Sequence, residues 1–257
     1  MDSKRQKILN RLVNEVPEGL PVTASWLRKR IGCSRQLARK YVKNNWLANP
    51  ARGIYVRNIS KMTWLSALLS TQRVCGLDCH PSASTALSLL GFTQYLGFGD
   101  KSYVALTGEN KPPCWLSKLP LPVSFQYNAR HLFKNSDVGL MEHPLPEYPY
   151  SLQISSAPRA FLELLFDVSD EDSFNSAYEL FEGMTSFNPS HVELLLLECV
   201  SVKVKRLFFL MSEKAGHQWG GRLTSTDYNL GSGKRVVVRG GKLNAKYAVT
   251  VPEGFND

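Results

Sequence analysis

Apolar residues recur at helical spacing from the start of the chain. Ile8, Leu9, Leu12, Val13 and Val16 fall on one face, predicting a helix over about 3–16 with Ser3 as its cap. The run Pro17-Glu18-Gly19-Leu20-Pro21 ends it. Trp26, Leu27 and Ile31 then mark a second helix, opened by Thr23 and closed by Gly32, a residue free to turn left-handed. Ser34 caps a third helix, Arg35 to about Asn45, whose apolar residues Leu37, Ala38, Tyr41 and Val42 make a single stripe. Trp46-Leu47 and Ile54-Tyr55-Val56 predict two short strands around an Asn49-Pro50-Ala51-Arg52-Gly53 turn. Helices, Gly turn and hairpin in this order are the pattern of a winged helix-turn-helix over residues 22–58.

Beyond it the pattern is mixed. Trp64, Leu65, Leu68 and Leu69 begin another amphipathic helix, and Ser84–Leu90 predicts one closed by Gly91. Strands are expected at 103–107, 123–127, 138–142 and 151–154, between Gly, Pro and Asn clusters. A helical block follows at about 157–166, 173–185, 190–200 and 202–214, and strands return at 235–239 and 247–251. The expected class is α+β: an N-terminal winged helix-turn-helix at 1–60, then a mixed α/β domain with a helical block at 61–257. No segment approaches the ~20 apolar residues of a membrane span, and the first residues lack an export-signal pattern. Five scattered cysteines are then expected to be reduced thiols in a cytoplasmic protein.

Charge sharpens the first part. Residues 1–60 hold 13 Lys/Arg against three acids, a net of +10, while the whole chain is +9 and residues 61–257 sum to −1 from 18 basic and 19 acidic residues. All the basic excess lies on the segment with the helix-turn-helix pattern, which points to double-stranded DNA, with RNA or a docking protein as alternatives. The apolar stripe of the third helix leaves Arg35, Gln36, Arg39, Lys40 and Lys43 off the core side. Arg35, Gln36 and Arg39 are expected at base edges, and Ser34, Lys40 and Lys43 at phosphates. Arg52 at the wing tip would reach a minor groove or backbone, with Arg57 just beyond.

Chemistry is harder to find. Cys75, Cys79 and His80 put three Cys/His ligands within six residues, with Asp78 adjacent, but no second Cys/His pair stands at finger-like spacing. No metal or cofactor is expected. Asp100 with Glu109-Asn110-Lys111 superficially matches the carboxylate-and-lysine set of metal-dependent nucleases, but Glu109 and Lys111 sit in turn-forming sequence. Gly231-Ser232-Gly233-Lys234 lacks P-loop spacing. A nuclease and a ligand-responsive regulator are therefore the rival classes to a non-enzymatic DNA-binding protein. The basic cluster Lys203, Lys205 and Arg206 is either an anion-binding surface or a solvated helix boundary.

The chain resembles the AbiEi-type antitoxins of bacterial type IV toxin–antitoxin (abortive infection) systems. Within the winged part the likeness runs through Trp26-Leu27, Gly32, Leu37–Val42, Trp46-Leu47 and Gly53-Ile54-Tyr55. It continues through Thr85-Ala86-Leu87 with Gly91, Pro113, Trp115-Leu116 and Ser155–Glu163. Ser201–Phe208, Tyr228–Gly231 and Tyr247–Pro252 complete it, so it covers nearly the whole chain. The resemblance implies a repressor of its own operon, bound to operator repeats in its own promoter. It also implies that the C-terminal domain neutralises a nucleotidyltransferase-like toxin without a stable complex. The surface near Arg159, Lys203, Lys205 and Arg206 is where that protection is expected.

Overall fold

The computed structural model describes residues 3–92 and 103–255. Their contacts divide into two compact units. The first comprises Met1–His80, Asp100–Tyr127 and Glu142–Gln153, and the second comprises Pro81–Gly99, Asn128–Met141 and Ile154–Asp257. The position near residue 60 lies within the first unit.

The first unit begins with α1 (Ser3–Glu15), which buries Leu9 and Leu12, with Val16 buried just past its end. Strand β1 (Val22–Thr23) leads into α2 (Ala24–Trp26), where the Thr23 hydroxyl accepts the Trp26 N–H at 3.1 Å. The helix then widens into a π-turn over Leu27–Ile31 and stops at Gly32, φ +79°. Helix α3 (Arg35–Lys43) follows a three-residue turn, and the Ser34 hydroxyl accepts the Leu37 N–H at 3.2 Å. Burial of Ala38 and Tyr41 seats α3 by the stripe expected of it.

The wing differs from expectation. Strand β2 is Ala48–Ala51 and β3 is Ile54–Val56, so the hairpin closes on the two residues Arg52-Gly53 rather than on five. Asn45 takes a left-handed φ of +60° and Trp46 is 47% exposed, so residues 46–47 precede the strand instead of forming it. Strand β1, not foreseen from the sequence, completes an antiparallel sheet in the order β1-β3-β2. Helix α4 (Trp64–Arg73) belongs to this unit as well. Its Ser66 hydroxyl donates to the Gly19 carbonyl at 2.8 Å, and its Ser70 hydroxyl donates to the Pro21 carbonyl. Gly19 has φ +75°, and a Cβ there would collide with the Lys61 carbonyl, so only glycine fits.

A second sheet has the order β4 (His80–Pro81), β5 (Tyr103–Thr107), β6 (Ser124–Tyr127), with β5 and β6 parallel from Tyr103↔Ser124 to Leu106↔Tyr127. Strands β7 (Leu140–Pro144) and β8 (Ser151–Ser155) form a separate pair. The expected strand at 138–142 thus starts two residues late.

The second unit is mainly helical: α5 (Ala83–Leu89), α6 (Ala157–Asp167), α7 (Glu171–Glu182), α8 (Pro189–Glu198) and α9 (Val202–Ala215). The helical block foreseen from the sequence is therefore present with small shifts at its ends. Its largely aliphatic core holds an aromatic cluster. Phe161 stacks on Phe181 at 4.5 Å, and Phe181 meets Phe208 and Trp219 edge-on at 5.8 Å. Burying each such ring contributes about 1.5–3 kcal/mol. The terminal strands are β9 (Lys242–Asn244) and β10 (Val249–Val251). Residues 235–239, expected as a strand, make a single bridge from Arg235 to Val249. The Thr250 hydroxyl accepts the N–H groups of Val237 and Val238, taking the place of a regular ladder. Ala248, left-handed at φ +50°, delays β10 by two residues against expectation.

Candidate nucleic-acid interface

Helix α3 shows a polar face made of the residues expected there: Ser34, Arg35, Gln36, Arg39, Lys40 and Lys43 are all exposed. Among the described residues, none of the four cations has an ion-pair partner. Ser34 spends its hydroxyl on the helix cap, which leaves its other lone pair and its proton at the helix N-terminus. Arg52 stands exposed at the wing tip. Between α3 and the wing lies a groove of about 410 Å³ lined by Arg39, Val42, Asn49, Ala51, Arg52, Gly53 and Tyr55. The wing tip is tied down on its far side, where the Ala24 N–H donates to the Gly53 carbonyl at 2.8 Å.

Arg57 is placed differently from its neighbours. Its Nη1 donates to the carbonyls of Val13 and Val16 at 2.5 and 2.6 Å, and its side chain is 18% exposed. It closes the C-terminal end of α1 rather than extending the basic face.

Two exposed cations that the sequence reading passed over, Arg28 and Lys29, lie on the π-turn of the first helix of the motif. Arg30 beside them is engaged by Glu15 at 3.2 Å, and the same carboxylate pairs with Arg11 at 3.0 Å. The Arg11 hydrogen bond, followed by both positive charges, holds the Glu15 carboxyl below the ordinary range. The consecutive triplet Arg28-Lys29-Arg30 was the available signal, because a helix that buries Leu27 and Ile31 leaves the three between them outward.

In the second unit three of the four cations expected to mark a protective surface, Arg159, Lys205 and Arg206, are buried, and Lys203 is half-buried. Arg159 is buried and donates to Glu163 at 2.9 Å and to the carbonyls of Ser136 and Val138 at 2.6 Å. Glu163 also accepts from the Ser155 hydroxyl and from the Ala83 N–H at 3.0 Å. Arg206 is buried and donates to the carbonyls of Leu230, Gly233 and Ala248 at 2.7, 2.8 and 3.1 Å. Lys203 donates to the Phe166 carbonyl at 2.7 Å and to that of Val168, and burial pulls its pKa down. Lys205 is buried as well. Exposed cations of this unit lie elsewhere, among them Lys234, Arg235 and Arg239.

For catalysis the arrangement offers little. Glu109 and Lys111 follow β5 in a turn, where the Glu109 N–H donates to Asp78 at 3.0 Å. Asp100, the third member of the nuclease-like set, lies outside the described residues. Among the described residues no group of three or more His, Cys, Asp or Glu is placed to hold a metal ion. Cys79 and His80 are buried, and burial pushes the Cys79 thiol up to about 12. No described helix is long and apolar enough to cross a membrane.

Comparison with known proteins decides the family. The AbiEi antitoxin N-terminal domain of transcriptional regulators matches residues 5–98, and the AbiEi antitoxin of type IV toxin–antitoxin systems, also described as a transcriptional regulator, matches residues 101–252. The chain belongs to the AbiEi antitoxins. It is therefore a member of a family of transcriptional regulators and antitoxins, not of a known enzyme class. No curated protein matches it. Its fold is similar to the crystal structure of the RV2827C protein from Mycobacterium tuberculosis. That similarity has a TM-score of 0.61 at 13% identity over 98% of this chain and 92% of the other. The α+β class and the resemblance drawn from the sequence both stand.

Proposed function

We propose that this AbiEi antitoxin represses its own operon by holding operator DNA with α3 and the wing. Arg35, Gln36 and Arg39 read base edges in the major groove, and Ser34, Lys40, Lys43 and Arg52 hold the backbone. Arg28 and Lys29 add phosphate contacts where the first helix of the motif crosses the backbone. The observation that carries this reading is the unpaired cationic face of α3 beside the wing. Cations without partners in the protein can neutralise phosphates, and the counterions so released from the duplex favour binding. The test is a salt titration of affinity for a duplex spanning the region upstream of its reading frame. Contacts from Arg35, Arg39, Lys40, Lys43 and Arg52 give a log–log slope of roughly −4 to −6. A flat response would remove the reading.

The antitoxin role rests on family membership. In this proposal the C-terminal part counters a nucleotidyltransferase-like toxin without a stable complex. Toxin and antitoxin expressed from independent, unregulated promoters separate neutralisation from repression. Growth arrest despite abundant folded antitoxin would leave a repressor only.

A further inference from the structure

A strand that carries a proline has to make good a missing donor, and in the wing that strand is β2. Pro50 has no N–H, and the β2–β3 register slips by one residue between the pairs Ala48↔Val56 and Ala51↔Ile54. Left there, the hairpin tip would hang on a single pair. Asn49 fills the gap with its side chain. Its Nδ2 donates to the Ala51 carbonyl at 2.8 Å and to the Ile54 carbonyl across the hairpin at 2.6 Å. Both partners are carbonyl oxygens, so the amide nitrogen must be the atom facing them and both of its hydrogens are committed. These two bonds join the residues on either side of Arg52-Gly53. The tip is then clamped from two directions, by Asn49 inside the hairpin and by Ala24 on the Gly53 carbonyl outside it. Arg52 and Arg39 line the same groove of about 410 Å³.

We infer that Asn49 is a positioning residue for DNA binding: it sets the wing tip so that Arg52 meets the duplex together with Arg39. This rests on the operator-binding reading above and names a residue that acts through Arg52, since both its amide hydrogens are committed within the hairpin. A clamp of this kind removes the entropy that a loose tip would lose on binding. Asn49→Ala therefore loosens the hairpin tip and costs the Arg52 contact.

The experiment measures affinity of the full chain for the upstream duplex, and its salt slope, for the unaltered protein, Asn49→Ala, Arg52→Ala and the double variant. Asn49→Ala is expected to weaken binding about three- to tenfold and to flatten the slope by about 0.9, one phosphate contact. Arg52→Ala should do the same, and the double variant should be no weaker than Arg52→Ala alone. Thermal unfolding of each variant accompanies the titration, since a merely structural role would lower the melting temperature and leave the slope unchanged. Additive losses would show that Asn49 acts on its own account and would overturn the inference. So would an Asn49→Ala variant that binds like the unaltered protein while Arg52→Ala does not. If the unaltered protein fails to bind the duplex at all, the operator-binding reading itself falls.

Discussion

Replacing Arg57 with Ala tests whether this arginine holds the fold or the DNA. Its guanidinium sits at the C-terminal end of α1, where the last carbonyls of a helix have no partner within the helix. It satisfies one of them, Val13, at 2.5 Å and the Val16 carbonyl just past the helix at 2.6 Å, and Glu18 lies 3.9 Å away. Hydrogen bonds from a charged donor contribute about 1.5–3 kcal/mol each, and a cation at the negative end of a helix about 0.3–1 kcal/mol more. The side chain is partly solvated, and water can reach the carbonyls once it is removed. A loss of about 2–4 kcal/mol from the first unit is therefore expected. For a unit of this size the melting temperature should drop on the order of 10 °C. The assay is thermal unfolding followed by tryptophan fluorescence, for which Trp26, Trp46, Trp64 and Trp115 report on the first unit. DNA affinity is measured in parallel, well below the transition. A variant that melts like the unaltered protein but loses affinity and salt slope would refute the clamp and return Arg57 to the DNA face.

Gln36→Ala or Arg39→Ala should narrow the gap between cognate and scrambled duplexes by about 1–3 kcal/mol, while Lys43→Ala weakens both alike; equal losses for Arg39→Ala would move that residue from base edge to backbone. Glu163→Gln leaves Arg159 charged among buried groups, and urea unfolding of the second unit should show a loss of about 3–5 kcal/mol; an unchanged midpoint would mean that water replaces the carboxylate. Burial raises the thiols of Cys33 and Cys199 to about 11 and that of Cys79 to about 12, so alkylation of the native protein at mildly alkaline pH should reach exposed Cys114 first, and early labelling of Cys33 would contradict its burial between the motif helices. An N-terminal fragment ending at His80 should melt higher than one ending at Ser60, because only the longer one keeps the bonds from Ser66 and Ser70 to Gly19 and Pro21; equal melting would make α4 dispensable to the wing.

The winged helix was legible in the sequence because its information is local. Thr23 and Ser34 cap, Gly32 turns, and the stripe Leu37-Ala38-Tyr41-Val42 fixes which face of α3 is dry, so the opposite face follows without any knowledge of distant residues. The helical block followed for the same reason. Tertiary structure decided what local pattern could not. Whether a cation points to water or to a distant carbonyl depends on chain that is far away in sequence: Arg206 is held by residues 24 to 42 positions away, and Arg57 by residues more than 40 positions before it. Lys203, Lys205 and Arg206 therefore read as a basic cluster in sequence, yet in the fold Lys205 and Arg206 are buried and Lys203 is tied to backbone carbonyls. The same holds for the wing, where the side-chain amide of Asn49 allows a proline in β2, and for β1, whose two residues become a strand only because β3 lies beside them. A side chain's face is set by its own helix, but its partner is set by the whole chain.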